Sequence, residues 1–437
     1  MPRGVAVAAG SVPRPRHALL ATIALILGGV AIGTTEFVTM GLLPQIAEGV
    51  GVDIPTAGHT ISAYAAGVVI GAPLLAVLGA TWPRKALLVG LMVAFTVGNV
   101  LTALAPSYET LVAARLLAGL PHGAFFGVAA LVAVDLAAAG QAGRAVGRVM
   151  LGIPIANVLG VPGATWLGQH LGWRSAYWLV TVIGVATVAL ISYAVPHLPR
   201  DRARTVRSEL GALTSLQVWL TLGVGAVGFG GMFAMYSYIA PTVTEVTGLP
   251  ASAVPLFLLV FGASGFVGNL VAGRMGDWSV IRSAVIGMAG LGVSLALFAV
   301  VAPYAVAALV VLAVTSILAS VLVINLQLRL MQVAGAAQTL AAAGNHAALN
   351  FANALGAWVG GLVIAAGYGY TAPSLVGAGL ALLGLAILGV SLLVHRRDHP
   401  HRVTLRPAAV VRTAGGSAPA APEQATTRDG ALADPVC

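Results

Sequence analysis

The chain has 437 residues, 59% of them hydrophobic and 8% charged, with mean hydropathy +0.96. A soluble domain carries about a quarter charged residues to hydrate its surface, so a water-facing globule of this size is excluded and lipid must be the main solvent. The formal net charge of +9 sits in short clusters between apolar runs, which suits topology determination and not a nucleic-acid-binding face.

Apolar runs of about 20 residues, long enough to cross hydrocarbon, occupy 18–43, 57–79, 86–105, 110–133, 145–168 and 175–196. They resume at 215–239, 252–273, 282–302, 304–326, 340–366 and 372–394. The runs are continuously apolar and not alternating, so they predict helices and exclude barrel strands. The first is too long for a cleaved signal core and contains Glu36, so it reads as a retained helix. The one cysteine, Cys437, rules out an internal disulfide and a thiolate-rich metal site.

With the N-terminus in the cytoplasm, the inner loops hold Arg84, Lys85, Arg144, Arg148, Arg200, Arg202, Arg204, Arg207, Arg274, Arg282 and Arg329. The outer loops hold only Arg174. The positive-inside rule therefore predicts that both ends are cytoplasmic. The expected organisation is an N-terminal tail (1–17), a first six-helix bundle (18–196), a cytoplasmic linker (197–214), a second bundle (215–394) and a disordered tail (395–437). Gly71, Lys85 and Gly90 recur as Gly268, Arg282 and Gly287, each at an offset of 197. The predicted fold is thus all-α and integral to the membrane, with twelve helices in two parallel six-helix repeats around a central cavity.

Only Glu36 in the first span and Arg115 in the fourth are strongly ionising residues well inside the membrane, and residues so placed usually face a cavity and find a partner. Glu36 lies about six residues below the outer face and Arg115 about five, so their depths agree at about 1.5 Å per residue. His122 shares the face of Arg115 at a spacing of seven. It is a candidate for cavity lining, or equally a packed histidine. Asp135, at the inner end of the fourth span, reads as solvated. Tyr236 and Tyr238 are candidates for the cavity or for an interfacial belt. Asn345, His346, Asn350 and Asn353 form one polar stripe on the eleventh span, suited to a cavity or to gluing helices together.

Several motifs carry a resemblance. The turn Ala76-Val77-Leu78-Gly79-Ala80-Thr81-Trp82-Pro83-Arg84-Lys85 keeps the basic end of a G-x-L-x-D-R-x-G-R-R pattern, with Ala80 at the acidic position. Its second copy, Gly273-Arg274-Met275-Gly276-Asp277, keeps the acid. Leu111 to Gly119 is similar to L-x-x-x-R-x-x-Q-G around Arg115, with Ala118 in place of the glutamine. Gly152-Ile153-Pro154-Ile155-Ala156-Asn157-Val158-Leu159-Gly160-Val161-Pro162-Gly163 is similar to a glycine–proline antiporter motif, whose glycines would share one packing face and whose prolines would bend the helix. Together these resemble the major facilitator superfamily, in its twelve-helix drug:proton antiporter branch. The stretches Glu36–Pro44 and Gly119–Phe126 look like a subgroup of sugar-efflux-type and chloramphenicol-resistance-type exporters.

The resemblance implies a secondary transporter exporting a small neutral or amphipathic molecule, such as chloramphenicol or a sugar, in exchange for protons across a bacterial inner membrane. In it, Glu36 would be the proton-coupling site and Arg115 its tuning partner, since the first and fourth helices of the family line the cavity. A carboxyl that gains and loses a cationic neighbour can bind and release a proton. Gly152, Pro154, Gly160, Pro162, Gly163, Arg84, Lys85, Asp277 and Arg282 would form the conformational motifs. The expected partners are the cargo, protons and lipid, with a monomer as the working unit and no cofactor, metal or nucleic acid. A facilitator or importer of a small polar metabolite is the alternative within transport. A membrane-embedded enzyme is the rival class, but no zinc motif, phosphate loop or pair of intramembrane acids supports one.

Overall fold

The computed structural model describes residues 15–79, 82–138, 141–196, 215–334 and 338–398. The expected linker 197–214 with its four arginines, Ala80, residues 1–14 of the N-terminal tail and residues 399–437 of the C-terminal tail lie outside the described residues.

The first seven spans are α1 (Ala18–Gly41), α2 (Ile54–Leu75), α3 (Arg84–Leu104), α4 (Tyr108–Leu136), α5 (Arg144–Leu171), α6 (Arg174–Ala194) and α7 (Leu216–Tyr236). The next helix, Val254–Val301, has 48 residues, about 72 Å at 1.5 Å per residue. That is more than twice the roughly 30 Å of a hydrocarbon core. Its backbone turns extended at Ser279 (φ −171°, ψ 112°), which splits it into α8 (254–278) and α9 (280–301). With α10 (Ala305–Val333), α11 (Gly344–Tyr368) and α12 (Ala372–His395), the described residues form the twelve membrane-length helices that the apolar runs predict.

The helix ends follow from local chemistry. α1 stops at Gly41, and a short helix, Leu43–Val50, turns aside, burying Leu43, Ile46 and Ala47 and ending at Gly51 (φ 70°). Asp53 accepts the Thr56 N–H at 2.8 Å, which starts α2 and holds the Asp53 carboxyl below the usual carboxylate range. Ser107 and Thr110 form a reciprocal capping box at the start of α4. Leu159, Val182, Val293, Leu382 and Leu393 are exposed, as side chains facing lipid should be.

The internal repeat is visible in the packing. Gly71 of α2 lies against the backbone of Leu120 in α4, and Gly268 of α8 lies against Ile317 of α10, where an added Cβ would come within 2.8 Å of the Ile317 Cα. Both partners are displaced by the same offset of 197. Small residues let the helix backbones close up where lipid offers no hydrophobic drive.

The two halves meet along a seam that is closed toward the face where α1 ends. Ser62 of α2 donates to the Ala354 carbonyl of α11 at 3.0 Å. Gln169 at the end of α5 donates to the Ala251 carbonyl at 2.7 Å. Gly58 of α2 packs against the Tyr238 hydroxyl, Gly41 against Leu258, and Gly262 of α8 against the Asn157 carbonyl of α5.

Candidate functional site

The site grows from a run of polar residues in the mostly apolar α1: Thr34, Thr35, Glu36 and Thr39, all buried. Thr34 bonds back to the Val30 carbonyl at 2.7 Å, as intrahelical threonines commonly do. Thr35 and Thr39 reach across to other helices. The Thr39 hydroxyl pairs with that of Tyr177 at 2.8 Å. Thr35 donates to Oδ1 of Asn99 at 2.5 Å. The Asn99 amide is oriented for this because its Nδ2 donates to the Phe95 carbonyl at 2.9 Å.

Arg115 of α4 is fully buried and enters the same network, donating from Nη1 to the Thr35 hydroxyl at 3.2 Å. Its guanidinium lies over the Tyr64 ring, 4.3 Å from the centroid, and near that of Tyr177 at 5.6 Å. Two aromatic faces therefore supply much of its solvation. Its Nε and Nη2 have no hydrogen-bond partner among the described residues.

Glu36 is 6% exposed. The expected meeting with Arg115 is indirect: no ion pair joins them among the described residues, and Thr35, the neighbour of Glu36, takes the guanidinium bond instead. The carboxylate points toward the other half of the molecule, where Nδ2 of Asn353 on α11 donates to its Oε1 at 3.4 Å. The sequence places Asn353 on a polar stripe but gives no reason to single it out.

Two turns further along α4, His122 is buried, and its Nδ1 lies 3.1 Å from the Tyr64 hydroxyl. The Phe126 ring sits between the two histidines, 5.5 Å from His122 and stacked on His346 of α11 at 6.2 Å. Asn345 and Asn350 are buried, and Asn350 bonds the His346 carbonyl at 3.0 Å. Tyr236 and Tyr238 are buried too, which removes the interfacial-belt reading. Tyr236 stacks on Phe261 at 4.1 Å and meets Phe37 of α1 edge-on at 6.2 Å. The Tyr238 hydroxyl donates to the Ala357 carbonyl at 2.7 Å. Tyr64, Tyr177, Thr35, Asn99, Phe37 and Phe126 are members of the site that sequence reasoning missed. A tyrosine in a long apolar span carries no mark distinguishing a site from packing.

The helix ends at the opposite face correct two expectations. Asp135 is not simply solvated: it forms an ion pair with Arg84 that ties the end of α4 to the start of α3. Arg329 is not in a loop, because α10 runs past the predicted end at 326 to Val333. The side chain is buried, with Nη2 3.5 Å from Gln217 Oε1. Lys85 is half-buried. In the second repeat, the Arg282 guanidinium lies 5.3 Å from the Trp278 ring, and the Arg282 backbone N–H donates to the Ser279 hydroxyl at 3.3 Å. Asp277, one residue before Trp278, forms no ion pair among the described residues. The Arg84–Asp135 side chains are 17% and 31% exposed, so the pair contributes less than about 1 kcal/mol to stability. Asp135→Arg is expected to slow transport severalfold with little change in melting temperature, and the swap Arg84→Asp/Asp135→Arg to recover it. Transport assays on the three proteins check this.

In α5 the structure divides the glycine–proline motif. Gly152 meets Gly29 of α1, where a Cβ would lie 2.6 Å from the Gly29 Cα, and Gly160 meets the Thr34 hydroxyl. Between them the chain makes a π turn, Ala156–Gly160, in which the Val161 N–H reaches back to the Ala156 carbonyl. Pro162, which has no N–H to offer, stands next to it, and such bulges bend helices. Gly163 is exposed, with open space around its missing Cβ. It belongs to the pattern but not to the shared packing face. Gly152→Ala is therefore expected to lower stability by about 1–3 kcal/mol through overpacking, and Gly163→Ala to leave it unchanged. Thermal unfolding in detergent tests both.

Comparison with known proteins agrees with this architecture. Residues 25–345 match the family model described as "Major Facilitator Superfamily". The "Inner membrane transport protein YdhP" of Escherichia coli O157:H7 is 39% identical over 84% of this chain and 95% of its own length. A "Chloramphenicol resistance protein" of Streptomyces lividans is 37% identical over 79% of this chain and 88% of its own length. The crystal structure of a D-xylose-proton symporter superposes with a TM-score of 0.70 over 85% of this chain and 97% of that one, at 16% identity, a likeness of fold alone. With twelve helices, a repeat visible in the glycine packing and a buried polar site at the seam, the chain is a multi-pass membrane transporter that belongs to the major facilitator superfamily.

Proposed function

We propose that this protein exports a small neutral or amphipathic molecule in exchange for protons by alternating access, acting as a monomer in a bacterial inner membrane with both chain ends cytoplasmic. The observation that carries the reading is Glu36: a buried carboxyl at the seam between the halves, held by an amide and not by a cation. A charged side chain at membrane depth costs at least about 2.5–3.5 kcal/mol on insertion scales. Gaining a proton removes that cost, so the movement that changes which side Glu36 faces becomes sensitive to its protonation. Arg115, held by Thr35 and the two tyrosines, keeps a fixed positive charge beside it. The aromatic wall of Phe37, Phe233, Tyr236 and Phe261 suits an apolar or aryl cargo, and one similar protein is named for chloramphenicol resistance.

The test uses energised inverted membrane vesicles, whose lumen is acidic. Chloramphenicol is expected to enter the lumen and raise luminal pH as protons leave in exchange. Drug entry with no pH change, persisting after the gradient is collapsed, would mean facilitated diffusion in place of antiport.

A further inference from the structure

We propose that Asn353 is the positioning residue that makes exchange obligatory, by holding the empty, deprotonated carrier closed at its outer face. The inference rests on the reading of Glu36 as the proton site and adds a gate to it. Asn353 is 1% exposed and stands on the face of α11 that runs along the seam. One residue on, the Ala354 carbonyl accepts the Ser62 hydroxyl at 3.0 Å, and one turn on, the Ala357 carbonyl accepts the Tyr238 hydroxyl at 2.7 Å. Tyr238 in turn packs on Gly58 of α2. The bond from Nδ2 of Asn353 to Oε1 of Glu36, at 3.4 Å, is the member of this series whose strength depends on a proton.

A hydrogen bond to a carboxylate is about twice as strong as one between neutral groups. Deprotonated Glu36 therefore ties α1 to α11 and favours the outer-closed arrangement seen here. Proton binding weakens the tie. So does a cargo that offers its own donor to the carboxylate, or that engages Oδ1 of Asn353, which is buried and without a partner among the described residues. An exchanger must forbid one transition above all, the return of the empty, deprotonated carrier to the outside, because that step completes a proton leak. The Glu36–Asn353 bond opposes that step and no other.

The experiment needs no identified cargo. Purified protein is reconstituted into proteoliposomes, a membrane potential is imposed, and proton entry is followed with a trapped pH dye in the absence of drug. Asn353→Leu, close in volume but with no donor, is expected to raise this leak about tenfold or more, the effect of losing a hydrogen bond to a charged group. Asn353→Gln, which keeps the donor, should leak less than the leucine variant, and Glu36→Gln/Asn353→Leu should not leak at all. If the leucine variant cannot be purified, Asn353→Ala, which also lacks a donor, replaces it with the same readout. Parental leak in Asn353→Leu, with cargo-driven proton exchange still lost in Glu36→Gln, overturns the gate and leaves the proton site standing. A leak that persists in the double variant overturns both.

Discussion

Glu36→Gln is expected to reduce cargo accumulation to the level of the bath, while labelled cargo still exchanges across the membrane without a gradient. Glutamine keeps the volume of the side chain and an oxygen that can accept the Asn353 N–H, so the seam contact at 3.4 Å has a neutral substitute. What it cannot do is bind and release a proton. One exchanged proton supplies about 2.3 kcal/mol per 100 mV, enough to hold about a fiftyfold gradient of a neutral cargo at 1.36 kcal/mol per tenfold. All of that ratio should vanish in the variant. Uptake into energised inverted vesicles measures accumulation, and counterflow in de-energised ones measures exchange. Accumulation at the parental ratio would move the proton to another group, and His122 or His346 would then be the next variants to examine.

The fold was legible because its determinants are crude and repeated. A span needs only about 20 apolar residues, and arginines only have to fall on alternate sides, so composition alone locates the helices, most of their ends to within a turn. Length failed at two ends, where α8 takes in Arg274 and α10 takes in Arg329: arginine is a good helix former, so the charge that ends an apolar run does not end the helix. The repeat was legible at Gly71 and Gly268 because close backbone approach tolerates no Cβ. The site was legible only where a charge stands in hydrocarbon, as at Glu36 and Arg115. Its remaining members are aromatic rings, which pack in any apolar helix, and threonines and asparagines, which sit equally well there by bonding their own backbone. Thr34 does this and Thr35 does not. That difference depends on whether Asn99 stands opposite, a tertiary fact. The pairing itself was half legible: equal depths placed Glu36 and Arg115 in one layer, but side-chain direction sent the guanidinium to Thr35 and the carboxyl to Asn353.

Arg115→Met is expected to cut transport at least tenfold while the protein still folds, and the balance of energies in the site explains why the two effects separate. The guanidinium gains about 2 kcal/mol or more from each desolvated aromatic face and a similar amount from the Thr35 bond. Against this stands the cost of burying a cation with no ion-pair partner, which is several kcal/mol. Methionine forfeits the first set and escapes the second. It also leaves no donor stranded, because the Thr35 hydroxyl still gives its proton to Asn99. The melting temperature should therefore move by only a few degrees. Function has no such compensation, since the positive charge held beside Glu36 is gone. Arg115→Lys is expected to recover little of the activity. An ammonium cannot lie flat against the Tyr64 ring while one arm reaches Thr35, and a planar guanidinium can. Paired thermal melts and exchange rates for the two variants decide the matter. Parental transport in the methionine variant would reduce Arg115 to a packing element, and full rescue by lysine would mean that charge alone, without the stacked geometry, is what Glu36 requires.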